Sequence, residues 1–312
     1  MTLGSAIPTV PARRQRQRAL ACGLGLFICG AIGDPRAAVA DSPEAPVAAD
    51  SVSAYFDQWF ARVDAAQASQ PHWMTPLATV TPRLEQEFRY DEFWQHQGSG
   101  ATLNNIDGGK GLELIPTETN EILINLPSYE ERNVKSPVSG WGDWAFLTVK
   151  QRLLSANEEN GNYIVTAFLG LQAPTGDAAF TNDAWVVTPT IAAGKGWGDF
   201  DIQATAGAQL PLSHESTIGT AIVTNATAQY HLGEHFWPEL ELNDTYWSGG
   251  ERDGKSQLFL TPGIMLGRFP LGDRAKASIG VGYQIALSPS LTIKPLTPAF
   301  DHAWIVSARL GF

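Results

Sequence analysis

Thiols are nearly missing from this chain. Its two cysteines, Cys22 and Cys29, both lie near the start, inside a stretch that reads as a removable export signal. Arg13, Arg14, Arg16 and Arg18 form a basic cluster, an apolar run follows from Ala19 to Ile32, and Ala38-Val39-Ala40 supplies small residues for cleavage. The apolar run of 14 residues is shorter than the roughly 20 a spanning helix needs. Arg13-Arg14 lacks the rest of a twin-arginine signal, and the bulky Ile28 disfavours Cys29 as a lipoprotein site. Residues 1–40 are therefore expected to be a signal peptide, and the remainder to have no disulfide, thiolate metal site or cysteine nucleophile.

Positive charge is scarce as well. Beyond residue 40 stand 16 Lys and Arg against 31 Asp and Glu, a net charge of −15, which argues against nucleic acid as a partner. Long apolar runs are also missing: none approaches 18 residues, so no transmembrane helix is expected. A soluble periplasmic β-protein and a transmembrane barrel survive these exclusions.

What is present separates the two. Between Ser51 and Ala66, Val52, Tyr55, Phe56, Trp59, Phe60 and Val63 recur with the spacing of one helical face, predicting a short amphipathic helix at the barrel mouth, with a plug inside the barrel as the alternative. After Pro82 the period falls to two. Charged residues from Arg83 to Asp91 alternate with Leu84, Phe88 and Tyr90; Ala145, Leu147 and Val149 alternate with Thr148, Lys150 and Arg152; Phe200, Ile202 and Ala204 alternate with Asp201, Gln203 and Thr205. Lipid outside and a polar lumen inside impose that alternation.

Twelve strands are predicted, near 82–95, 110–115, 120–126, 143–154, 162–172, 184–193, 199–210, 217–232, 236–247, 255–267, 275–287 and 302–312. Long connections at 96–109, 127–142 and 288–301 alternate with tight ones such as Gly194-Lys195-Gly196-Trp197-Gly198 and Gly233-Glu234-His235. Strands of a soluble sandwich average about five or six residues, whereas most of these reach the length that crosses a tilted barrel wall. The last strand carries Trp304, Val306, Ala308, Leu310 and Phe312 on one face, and a terminal aromatic resembles the signal read by the outer-membrane assembly machinery. Trp94, Trp144, Trp185, Trp197, Trp237, Trp247 and Trp304 fall near strand ends, as interfacial girdles require.

The stretch Gly140-Trp141-Gly142-Asp143 opening a strand, with Pro174-Thr175-Gly176 closing the next, resembles the meta-pathway phenol-degradation family of outer-membrane β-barrel proteins. The similarity extends from about Thr79 to Phe312. It implies a barrel that passes hydrophobic or aromatic small molecules across the outer membrane; the glycines and the Pro-x-Gly turn themselves read as structural.

His214-Glu215-Ser216 offers a base, an acid and a hydroxyl, but neighbouring residues diverge and a triad needs convergence. The six histidines show no metal spacing, and no phosphate-binding glycine loop occurs. The constellation that stands out is the inward set Arg83, Glu85, Glu87, Arg89, Asp91, Lys150 and Arg152, joined by Glu239 and Glu241, as lumen-lining charges that orient permeants or pair with one another.

The expected protein is an all-β, antiparallel transmembrane barrel of about twelve strands in the outer membrane of a Gram-negative cell. Its parts are a signal peptide (1–40), a periplasmic helical segment (41–78) and the barrel (79–312). It is read as a passive channel without enzymatic activity, cofactor or metal; the alternative is a non-transporting anchor or a surface hydrolase. Its partners are membrane lipid, the assembly machinery during biogenesis and a small-molecule permeant.

Overall fold

In the computed structural model, residues 47–97, 100–107, 110–133, 136–288 and 300–312 are described. The expected signal peptide and most of the 288–301 loop, with Pro289, Pro295 and Pro298, lie outside these residues.

Two helices come first, α1 (Val47–Asp57) and α2 (Trp59–Ala68), separated at Gln58. The strands are β1 (Glu87–His96), β2 (Thr102–Ile106), β3 (Gly111–Thr117), β4 (Asn120–Asn125), β5 (Tyr129–Asn133), β6 (Val138–Trp141), β7 (Trp144–Ala156) and β8 (Tyr163–Ala173). They continue as β9 (Val186–Trp197), β10 (Phe200–Pro211), β11 (Thr220–Tyr230), β12 (Phe236–Ser248), β13 (Ser256–Pro270), β14 (Lys276–Ser288) and β15 (His302–Gly311), with a one-turn helix α3 (Glu215–Ile218) between β10 and β11. The segments β2 and β3 descend as one line beside β1, as β4 with β5 and β6 with β7 form the next two. The wall is thus a twelve-stranded antiparallel barrel, closed where β15 pairs with β1 from Gly311 opposite Glu87 to His302 opposite His96. Closure removes the unpaired edges that lipid could not satisfy. Among the described residues no helix is long and apolar enough to cross a membrane; the strands make the crossing.

Side-chain alternation explains the wall. Phe200 and Ile202, Leu240 and Leu242, Ile279 and Val281, and Trp304 and Leu310 are exposed on the outside, while Asp201, Gln203, Thr205, Thr261, Gln284, Ser307 and Arg309 are buried inside. A one-residue slip would reverse these faces, and β7 shows it locally. A bulge between Trp144 and Leu147 turns Ala145, expected to face lipid, into the lumen.

The predicted loops at 96–109 and 127–142 contain sheet, because β2, β5 and β6 extend the wall beyond the expected strand ends. The glycines at 194 and 196 are not a turn. They belong to β9, which runs to Trp197, and the bend is at Gly198 (φ 60). Two tryptophans leave the expected girdle: Trp237 and Trp247 are buried, whereas Trp185, Trp197 and Trp304 stay about half exposed. The helical stripe is likewise split. Val63 and Ala66 pack on Leu84 and Ile115, but Val52, Phe56 and Phe60 are exposed.

Candidate functional site

Residues 69–86 do not join the sheet. Pro71, Pro76 and Pro82 remove three backbone donors and hold their predecessors extended, so the chain enters the lumen as a coil. The expected first strand, 82–95, therefore begins at Glu87, and the expected domain boundary at residue 79 falls within this inserted segment. Leu84, assigned by alternation to the lipid face, is fully buried under α2 instead. The helix α2 packs at the mouth, and the segment inside the barrel is the coil that follows it rather than the helix itself.

A coil inside a barrel leaves each peptide group needing a partner, and the lumen side chains supply them. Glu239 accepts from the Leu77 N–H (3.1 Å), and Glu241 accepts from the N–H groups of Ala78 (2.8 Å) and Thr79 (2.6 Å). Arg309 donates to the carbonyls of Thr75 and Pro76, Gln203 to Met74, Arg268 to Trp73, and Arg89 to Leu77. Thr166 donates to the Pro82 carbonyl (2.6 Å) and Lys150 to that of Arg83 (3.2 Å). Gln70 closes the excursion by exchanging two hydrogen bonds with Leu84, at 2.8 and 2.9 Å.

Each of the nine charges singled out in the sequence is buried. Arg83 and Glu85 sit on the inserted coil rather than on a strand, paired at 3.0 Å; Arg83 also donates to the Trp73 carbonyl. On β1, Glu87 points inward and Arg89 pairs with Asp91 at 2.9 Å. Lys150 pairs with Glu121 at 2.9 Å, and Arg152 donates to the carbonyls of Ala66 (2.7 Å) and Glu118 (2.5 Å). Sequence reasoning missed Glu113, Glu121, Gln203, Arg268 and Arg309 as members of this network. Arg309 carried a signal, since it alternates with the apolar face of the last strand. Arg268 carried none, because its backbone takes φ 61 at an irregularity between Leu266 and Phe269.

Shape reinforces the polar grip. Leu77 sits in a notch of Gly263, Gly280 and Gly282; a Cβ on Gly282 would stand 2.8 Å from Leu77 Cδ1. Trp73 lies against Gly194 and Gly196, and a Cβ on Gly196 would stand 2.6 Å from its indole nitrogen. Met74, Leu77, Trp237 and Met265 make the apolar core of this plug.

Cavities lie on both sides of the inserted coil among the described residues. One of about 350 Å³ opens at the turn end, beside Asp64, Arg83, Arg268, Lys276 and Arg309. The other, about 310 Å³, lies toward the loop end and is lined by Thr, Asn and Gln with Leu123, Phe168, Leu171 and Val223. Outside the wall, α2 is tethered by Asp64 to Arg274 (2.7 Å), whose guanidinium holds the Asp64 carboxyl below the usual carboxylate range. Glu158 takes hydrogen bonds from the His72 backbone N–H (2.6 Å) and ring (2.9 Å). Burial pushes the Glu158 carboxyl up, and those bonds outweigh it, so it sits below the usual range.

The Gly140 and Pro174 elements form one clasp at the loop end. Asp177 accepts from the Trp141 N–H (2.8 Å), and Asp143 accepts from Gly176 (3.1 Å) and Asn182 (2.8 Å). At His214-Glu215-Ser216 the three side chains make no hydrogen bond with one another among the described residues, and His214 adopts a left-handed backbone, φ 56. Among the described residues no group of three or more His, Asp or Glu is placed to hold a metal ion.

Comparison with known proteins gives two findings. The profile of the family described as "Putative MetA-pathway of phenol degradation" matches residues 115–293. Among solved structures, an outer membrane channel from Pseudomonas putida F1 is similar with a TM-score of 0.50 and 13% identity, over 72% of this chain and 92% of that one. The NanC porin matches with a TM-score of 0.44 and 9% identity, over 72% of this chain and 98% of that one. No curated protein matches the sequence.

Proposed function

The chain belongs to this phenol-degradation family, and from that premise we propose that it is a passive outer-membrane channel for small hydrophobic or aromatic compounds. One observation carries the reading: the closed barrel holds a noncovalent plug with a cavity on either side, about 350 and 310 Å³. A barrel serving only as an anchor could fill its lumen with side chains, as narrow barrels do. Here a separate stretch of chain fills the turn side, held by hydrogen bonds that can be exchanged for water. The mixed apolar and hydroxyl lining of the loop-side cavity suits an amphipathic ring better than a sugar or an inorganic ion.

The reading places the loop end outside the cell and the helices in the periplasm, where an even strand count puts both chain ends. Its partners are outer-membrane lipid along the apolar belt and the assembly machinery that handles the terminal strand. It assigns no catalysis to His214, Glu215 or Ser216.

The test is flux through the refolded full-length chain in liposomes, with phenol and benzyl alcohol against glucose. Faster entry of the aromatic solutes than through empty vesicles, with no gain for glucose, is expected. A folded barrel that passes none of them would overturn the channel.

A further inference from the structure

Lys110 precedes β3 and lines the loop-side cavity. Among the described residues around that cavity it is the one charged side chain; the others are hydroxyls, amides, glycines and apolar groups. The rest of the lumen is different. Arg89 is paired with Asp91 at 2.9 Å, Arg83 with Glu85 at 3.0 Å, and Lys150 with Glu121 at 2.9 Å. Arg309 and Arg268 are taken up by carbonyls of the inserted coil. The Lys110 ammonium has neither hydrogen bond nor ion pair among the described residues, although its own carbonyl accepts from the Leu126 N–H at 3.0 Å. The charges whose fields reach it are engaged with one another, Arg89 with Asp91 at 2.9 Å and Lys150 with Glu113 at 3.9 Å.

Lys110 is half-buried; a cation partly withdrawn from bulk water without a counter-charge is costly, and the cost falls when an anion arrives. The surroundings constrain what kind of anion. Leu123, Phe168, Leu171 and Val223 offer apolar contact, while the amides of Asn125 and Asn225, which donate to the Ala145 carbonyl and to Thr205 Oγ1, each keep a second N–H for a ligand oxygen. A cavity of about 150 Å³ accepts benzene, so the 310 Å³ here holds a single ring, its polar group and some water. We propose that the loop-side cavity is a selective site for small aromatic anions, a ring bearing one carboxylate or phenolate, with the Lys110 ammonium paired to the ionised oxygen. The inference rests on the channel reading, since it places this site on the permeation path.

Equilibrium dialysis of the refolded full-length chain against benzoate and its neutral counterpart benzyl alcohol tests it. Benzoate should bind about tenfold tighter at low salt, the scale of one charge-assisted hydrogen bond, and lose that advantage as salt rises. Lys110→Gln should abolish the preference, with an unchanged thermal unfolding transition reporting an intact fold; Lys110→Arg should keep the preference. Equal affinities in the wild type, or a preference that survives Lys110→Gln, would overturn the site. Benzyl alcohol flux into liposomes separates the two ideas. Flux with no binding preference leaves the channel and removes the anion site; a preference without flux leaves the site and removes the channel.

Discussion

The two halves of the lumen use opposite chemistry. Toward the turns it is crowded with charge, and nearly every charged group faces a peptide group of the inserted coil or a partner of opposite sign. The cavity toward the loops is lined by Thr, Asn, Gln and apolar side chains, with Lys110 as its one charged lining residue among those described. The difference follows from what each half contains. An extended coil presents unpaired N–H and C=O groups at every residue, and charged side chains reaching from the wall are strong partners for them. Where no coil passes, charges would have only one another, and neutral hydrogen-bonding groups leave the space unfilled. Charge marks the plug; neutrality marks the passage.

Breaking the grip at its tightest point should have the largest effect. Glu241→Ala orphans the N–H groups of Ala78 and Thr79, held at 2.8 and 2.6 Å. Each buried group left unpaired costs about 1–3 kcal/mol, so the docked coil should lose roughly 2–6 kcal/mol and the open fraction in planar bilayers should rise by more than tenfold. The matched change on the other half is Gln209→Ala, an exposed lining residue, expected to stay within about 0.5 kcal/mol. Equal conductance changes in the two variants would erase the distinction between the halves.

A steric version is smaller. Gly282→Val sets a side chain against Leu77, where even a Cβ would approach to 2.8 Å, and overpacking of this kind costs about 1–3 kcal/mol. Leu77→Ala in the same background should recover part of that loss, a coupling that a double-mutant cycle on thermal unfolding measures. If the two substitutions add independently, the glycine notch is not what seats the coil.

How much of this was readable in the chain depends on whether a pattern had a local cause. The wall was legible because lipid and lumen act on alternate side chains of one strand, so Ile202 and Gln203 declare their faces without knowing their neighbours. The plug was not, because its partners are remote: Leu77 meets Glu239 across 162 positions of chain. Arg83 and Glu85 were read as inward, but an extended coil has the same two-residue period as a strand, so they were assigned to the sheet. Leu84 was misplaced for the same reason. Gly194 and Gly196 looked like a turn because glycine signals both a bend and a close approach, and only Trp73, 121 residues upstream of the nearer contact on Gly194, decides which. Trp237 near a strand end satisfied the girdle rule, yet its ring stacks on His231 at 4.4 Å between centroids and packs with Met74 and Leu77.

The smallest effect is expected where the coil enters the lumen. Glu158 anchors His72 at the mouth, but its side chain is 41% exposed, so water screens the contact and neutralising it with Glu158→Gln should cost about 0.2–1 kcal/mol. The pH dependence distinguishes this tether from the grip inside. A carboxyl whose native value lies below its ordinary 4.5 stabilises docking above that value, and the contribution disappears as pH falls through the native value. Hydrogen exchange of residues 69–86 should therefore be faster in Glu158→Gln than in the wild type at neutral pH, and the two should converge in acid well below 4.5. A gap that persists unchanged in acid would show that the carboxylate's charge contributes nothing, leaving the mouth held by the Asp64 to Arg274 pair and the buried face of α2.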